Sequence, residues 1–191
     1  MKRTLLIVLV LAWAATCAAG EKELRERSDA IAARVLIADT HIDIPYRLKK
    51  KMADISKSTD DGDFDYPRAV KGGLNAIFMS IYTPANYETR GLSKSLADTL
   101  IDMVEGIVVA SPEKFELTTT VRETKGVVAG EKIALILGME NGAPIDGDLK
   151  NLQYFFDRGV RYITLTHSKD NHICDSSYDN RRTWRGLSPF G

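Results

Sequence analysis

Four short runs in this chain are apolar almost without interruption: Val35 to Ala38, Leu74 to Tyr82, Ile133 to Met139, and Val160 to Leu165. A strand with one face in water alternates apolar and polar residues, whereas a strand covered on both faces reads as a continuous apolar run. Segments with helical spacing lie between these runs. Ser93 to Ala110 carries Leu96, Leu100, Ile101, Val104, Ile107 and Val108 and stops at Ser111-Pro112. Glu21 to Ala33 sets Leu24 and Ile31 on one side and is expected to form a helix packed on the body. Thr118 or Thr119 is expected to cap a helix running through Ala129, with Gly130 at its end. Leu149 to Arg158 reads as a further helix, ended by Gly159, and the polar stretch Lys49 to Asp65 as a loop. Strand and helix thus alternate four times, the pattern of a parallel sheet sandwiched or ringed by helices.

Two architectures fit that pattern, an open doubly wound sheet and a closed barrel. No glycine-rich phosphate loop follows the first strand, which weakens a nucleotide-binding reading. Four strand–helix units make half of a TIM (β/α)8 barrel, which takes about 250 residues when complete. The expected fold is therefore α/β, with this chain as about the first half of such a barrel.

Composition excludes some partners. Lys and Arg number 26 and Asp and Glu 26, so no basic surplus points to nucleic acid. A hydrophobic content of 44% with 27% charged residues describes a globular chain rather than a disordered one. The first twenty residues differ from the rest. Lys2 and Arg3 precede an apolar run from Leu5 to Ala15, and small residues follow through Gly20. That is the layout of a secretory signal peptide, and the run is shorter than the ~20 residues of a membrane span. Residues 1–20 are expected to be a cleaved leader, with 21–191 exported to the periplasm or outside the cell. Cys17 suggests a lipid anchor, but Ala14 stands where a lipidated cysteine usually has leucine three residues earlier. With Cys17 removed, Cys174 has no partner for an internal disulfide.

The chemistry-bearing residues fall just after the apolar runs: His41 and Asp43 after the first, Glu140 after the third, His167 after the fourth. In a (β/α)8 barrel that edge carries the active site. His41 and Asp43 are two apart, so on an extended segment both point the same way and can face one metal. An imidazole and a carboxylate suit zinc or a similar divalent ion. Glu140, leaving a very apolar strand between Gly138 and Gly142, must be paired or bound to something and can bridge two metals with its two oxygens. His167, His172 and Cys174 also allow a small zinc site, a weaker reading because such residues co-occur in loops without metal.

The runs Asp39-Thr40-His41-Ile42-Asp43-Ile44-Pro45, Gly138-Met139-Glu140-Asn141-Gly142 and Gly159 to Ser168 resemble, in order and context, the membrane (renal) dipeptidase family of zinc metallopeptidases. Ile173-Cys174-Asp175-Ser176-Ser177 and Gly186 to Gly191 are similar to its bacterial members. The resemblance covers nearly all of the chain beyond the leader. It implies a TIM-barrel hydrolase that cleaves dipeptides with two Zn2+ ions. It further implies that His41 and Asp43 bind one zinc, that Glu140 bridges both and serves catalysis, and that His167 contacts substrate and the tetrahedral oxyanion. The family pattern also calls for two later histidines, an Arg and an Asp. This chain has three histidines in all, so the resemblance implies the absence of roughly a C-terminal half. The chain alone is then expected to hold at most one zinc well and to be nearly inactive. Its partners would be a dipeptide substrate and the missing half, with a homodimer left open for the complete enzyme. Two other readings remain: a non-catalytic remnant or half of a split enzyme binding one metal, and an amidohydrolase-like barrel acting on a cyclic amide. The latter tends to carry His-x-His after the first strand, and Asp43 at the third position favours the dipeptidase.

If the leader is cleaved as its layout predicts, N-terminal sequencing of the exported protein starts at about Gly20 or Glu21. A mature protein that keeps Met1 would refute this.

Overall fold

The computed structural model describes residues 20–191, so the expected leader and Cys17 lie outside the described residues. In chain order the elements are α1 (20–32), β1 (Ile37–Ile42), α2 (Ile44–Lys50), α3 (Tyr66–Gly72), β2 (Leu74–Tyr82), α4 (Ala85–Glu88) and α5 (Ser93–Ala110). There follow β3 (Phe115–Leu117), α6 (Val121–Ala129), β4 (Ile133–Glu140), a 3-10 turn (Ala143–Ile145), α7 (Leu149–Asp157) and β5 (Val160–Thr164). Among the described residues no helix is long and apolar enough to cross a membrane.

Every strand pair is parallel. β4 lies at the centre of the sheet and pairs with β2 from Ala76↔Ala134 to Tyr82↔Glu140. Its other edge is shared, with β3 beside Ile133 to Leu135 and β5 beside Leu137 to Glu140. The wall therefore runs β1-β2-β4-β5, with β3 in line below β5.

The two faces of this wall differ, and the strand period of two sorts them. Ile77, Met79 and Ile81 of β2 and Leu135, Leu137 and Met139 of β4 are at most 1% exposed. They belong to one core with Leu96, Leu100, Ile101 and Val104 of α5 and Phe155 of α7. Burying each such side chain contributes ~1.5–3 kcal/mol, so this helix-covered face carries most of the stability. The alternate residues, Ala76, Phe78, Ser80 and Tyr82 beside Ala134, Ile136, Gly138 and Glu140, form the other face. There a smaller cluster joins Ala76, Ala134, Ile136 and Val127, with Phe78 against it.

Several expectations need correction. The first strand is Ile37–Ile42, not Val35 to Ala38; Val35 and Leu36 are 49% and 43% exposed. Pairing with β2 sets that boundary, because the ladder starts at Ile37↔Leu74. A helix forms over 20–32, but Leu24 and Ile31 are 65% and 60% exposed, so its apolar side is not buried on the body, which it meets near Ala32. Helix α6 is capped by Thr120, not Thr118 or Thr119. The Thr120 hydroxyl accepts the Glu123 N–H, and the Glu123 carboxylate returns the bond to the Thr120 N–H. Short elements leave little trace in the sequence: β3 is too short to show a period, and α2 and α3 each begin with a proline in the first turn.

Asp65 caps α3 with a fully buried carboxylate. It accepts N–H groups from Thr59 and Arg68 and the Arg68 guanidinium, each at 2.9 Å. The Thr59 amide, then the Arg68 bonds, outweigh burial and hold its pKa down to about 2. A depressed carboxylate stabilises the fold fully above its unfolded pKa of about 3.9 and loses that contribution as pH falls toward 2. Urea titrations at pH 5 and pH 2 should therefore show a smaller drop in stability for Asp65→Asn than for the parent. Equal drops would exclude this role.

Candidate metal centre

Two strands and one helix start deliver the three ligand residues. His41 stands near the end of β1, where the register with β2 shifts between Asp39 and Ile42. Its backbone N–H donates to Asp39 Oδ1 at 3.0 Å. Asp43 is not on the same extended run as His41, contrary to the spacing argument. It is the N-cap residue of α2, with φ −84 and ψ 34. The bend there still brings Asp43 Oδ1 to 3.7 Å from His41 Nε2. Glu140 is the last residue of β4, and its side chain is 14% exposed.

A carboxylate so enclosed needs polar neighbours, and Glu140 has three. Its Oε2 lies 3.1 Å from His41 Nε2 and accepts the Ser80 hydroxyl at 2.9 Å. Its Oε1 lies 3.2 Å from His167 Nε2. The two histidines thus address different oxygens of one carboxylate. Ligand atoms of His41, Asp43 and Glu140 all lie within 4.8 Å of one another. Donors around a tetrahedral zinc at ~2.0–2.2 Å stand about 3.4 Å apart. The His41 separations of 3.1 and 3.7 Å bracket that spacing, and the mixed imidazole and carboxylate set suits a borderline divalent ion.

Aromatic residues frame the cluster. Tyr82 meets the His167 ring edge-on at 4.9 Å and the Tyr46 ring at 5.1 Å. The Tyr162 hydroxyl lies 2.7 Å from His41 Nδ1. Burial first, then the charges of Glu140, Asp43 and Asp39, push the Tyr162 phenol up to about 12. Tyr82 is raised for the same reasons, burial first, then Glu140, Tyr46 and Asp43. Both stay neutral hydroxyls at physiological pH.

Sequence reasoning assigned no role to Ser80, Tyr82, Tyr162 or Asn141. The signal for the first and third was a serine inside one apolar run and a glycine inside another, since a glycine within a strand marks a close approach. Asn141, 2% exposed at φ 75, ties the loops behind the site together. Its amide donates to Thr83 O at 2.8 Å, and its Oδ1 accepts from Asn171 Nδ2 at 3.0 Å and from the Ala143 N–H. The alternative site at His167, His172 and Cys174 is not assembled. His167 faces Glu140, His172 Nδ1 pairs with Glu88 Oε1 at 2.9 Å, and Cys174 is buried. Among the described residues the three-ligand group is His41, Asp43 and Glu140.

Imidazoles and carboxylates gathered at the carboxyl ends of parallel strands form the kind of site that a barrel uses to hold a metal. The chain belongs to the membrane dipeptidase family (peptidase family M19), whose model matches residues 25–191. It is 29% identical over 170 residues to an uncharacterized dipeptidase of Schizosaccharomyces pombe, covering 81% of this chain and 42% of that relative. Among solved structures it resembles the probable dipeptidase PvdM from Pseudomonas aeruginosa, with a TM-score of 0.75 and 19% identity. That likeness covers 89% of this chain and 46% of the other. A metallo peptidase from Rhodobacter sphaeroides, liganded with a phosphinate mimic of the dipeptide L-Ala-D-Ala, matches with a TM-score of 0.65 and 21% identity. The match covers 74% of this chain and 48% of that one. The parallel wall and these neighbours make the chain part of a (β/α)8 barrel. The chain spans less than half the length of the curated relatives it matches.

Replacing Asn141 by alanine strands Thr83 O in a buried place, takes one of two bonds from the Asn171 amide and the Asn141 bond from the Ala143 N–H, and leaves a non-glycine residue in the left-handed region. Unpaired buried groups cost about 1–3 kcal/mol each. Asn141→Ala should therefore lose at least ~2 kcal/mol of unfolding free energy in urea, and a loss under 0.5 kcal/mol would contradict the tie.

Proposed function

We propose that this chain contributes the His41–Asp43–Glu140 half of a zinc-dependent, dipeptide-hydrolysing centre. The observation that carries the proposal is the convergence of those three ligand groups within 4.8 Å at the carboxyl edge of a parallel barrel sheet. Family membership supports the reaction class. The Rhodobacter sphaeroides neighbour, which holds a dipeptide mimic, supports the substrate class.

His41, Asp43 and Glu140 would hold one ion, and Glu140 has a second carboxylate oxygen that would be open to another. Bound zinc would polarise the scissile carbonyl and lower the pKa of a coordinated water. The protein groups have their own tasks. Ser80 donates to Glu140 Oε2 and fixes the plane of the carboxylate. His167, held against the Tyr82 ring, stands on the Oε1 side of Glu140, where its Nε2 would face a developing oxyanion. Tyr46 and Tyr82 wall that side of the mouth and limit water there.

Among the described residues the three ligand residues gather around one position, and Glu140 alone of them would also face a second ion. Metal analysis after dialysis should therefore find close to one zinc per 191-residue chain, and His41→Ala should remove most of it. Dipeptide hydrolysis by the chain alone should be at least 100-fold slower than by a full-length relative. Adding the C-terminal half of that relative should raise the rate, and Glu140→Gln should abolish the gain. Two tightly held zinc ions per chain, or brisk turnover without the added half, would overturn this reading.

A further inference from the structure

The geometry points to Tyr162 as a positioning residue for His41: its hydroxyl fixes the imidazole so that Nε2 faces Asp43 and Glu140. The inference rests on the metal-centre reading above and extends it to a residue that touches no metal. His41 Nδ1 and the Tyr162 hydroxyl are 2.7 Å apart, with the rings 6.4 Å between centroids and 29° between planes. Among the described residues that hydroxyl is the one hydrogen-bond partner of Nδ1, and the His41 side chain is otherwise 37% exposed. A half-exposed imidazole without such a partner is free to rotate and to offer either nitrogen.

The contact is hard to achieve, which argues against coincidence. His41 is on β1 and Tyr162 on β5, with β2 and β4 between them. At ~4.8 Å per strand the two positions lie about 14 Å apart along the sheet. Curvature of the wall shortens the gap, and a clear lane across the concave face lets the tyrosine reach over. Ser80 of β2, Gly138 of β4 and Tyr162 of β5 stand in register and make that lane. A Cβ on Gly138 would sit 2.2 Å from Tyr162 Cζ and 2.6 Å from its hydroxyl oxygen. The ring therefore lies on bare glycine backbone, with Phe78 packed at 5.3 Å. Glycine in a strand interior weakens the strand, and here the lost side chain is what admits the tyrosine.

The chemistry matches the place. A histidine that ligates through Nε2 keeps its proton on Nδ1, and ligating histidines donate that proton to an oxygen that sets the tautomer and ring orientation. The Tyr162 oxygen accepts it. Removing such a partner costs about 10–100-fold in metal affinity.

The test is Tyr162→Phe, which keeps the ring on Gly138 and removes only the oxygen. Circular dichroism and the urea midpoint should match the parent. Zinc affinity, read by competition with a chelator, should fall about 10-fold or more, and the visible spectrum of the Co(II)-loaded protein should shift. Gly138→Ala, which displaces the ring, should weaken zinc binding to a similar degree. His41→Ala is the control: zinc retained there would refute the metal centre itself. Zinc lost in His41→Ala but held normally in Tyr162→Phe would overturn the positioning role and leave the metal centre standing. Zinc lost in Tyr162→Phe only in step with a lower urea midpoint would also overturn it.

Discussion

A carboxylate ends a strand whose other seven residues are buried, and much of the molecule is arranged around that conflict. β4 must be apolar because neighbours flank both of its edges and helices cover one face. Glu140 brings a polar side chain to a place where water is scarce. An enclosed carboxylate needs polar partners. Ser80, His41 and His167 meet that need from three different elements. Each partner depends on the parallel register: shifting β2 by one residue would turn Ser80 and Tyr82 toward the helices and Ile81 toward the site.

The helix-covered face and the concave face do different work. The first is filled by large side chains from β2, β4, α5 and α7 and supplies the cohesion of the unit. The second grades from apolar at the bottom to polar at the rim. Ala76 and Ala134 lie lowest, then Phe78 and Ile136, then Ser80 and Gly138, then Tyr82 and Glu140. At its lower end this face opens into a cavity of about 410 Å³ whose lining includes Leu36, Ala38, Ala76, Phe78, Val121 and Ile136. The tyrosine ring, lying on Gly138 and beside Phe78, floors the polar site. Small residues at Ser80 and Gly138 give up packing energy so that the floor can be laid, a local loss repaid by order in the imidazole above.

The rear of the site is held differently. Asn141, Thr83, Thr164 and Asn171 join the ends of β2, β4 and β5 through side-chain and backbone hydrogen bonds rather than apolar contact. Loops leaving a sheet edge cannot bury enough carbon to order themselves, so a satisfied polar network is the available means. Asn141 accepts a left-handed backbone to make its bonds, a conformation asparagine tolerates better than most residues.

The sequence by itself determined the long elements and the residues of the cluster. Continuous apolar runs specify strands covered on both sides, and helical spacing specifies α5 from Ser93 to Ala110. The same runs marked His41, Asp43, Glu140 and His167, because a polar residue directly after a buried strand has few reasons to be there. Only the tertiary structure decided how those residues meet. It showed that Asp43 approaches through a helix start and that β3 lies in line below β5. It also showed that helix 20–32 leaves Leu24 and Ile31 in water, and that Tyr162 crosses two strands to reach His41. The physical reason is range. Burial and helical period are written in neighbours a few residues apart, whereas register and the lane over Gly138 arise from contacts between residues far apart in the chain, up to 121 positions for His41 and Tyr162.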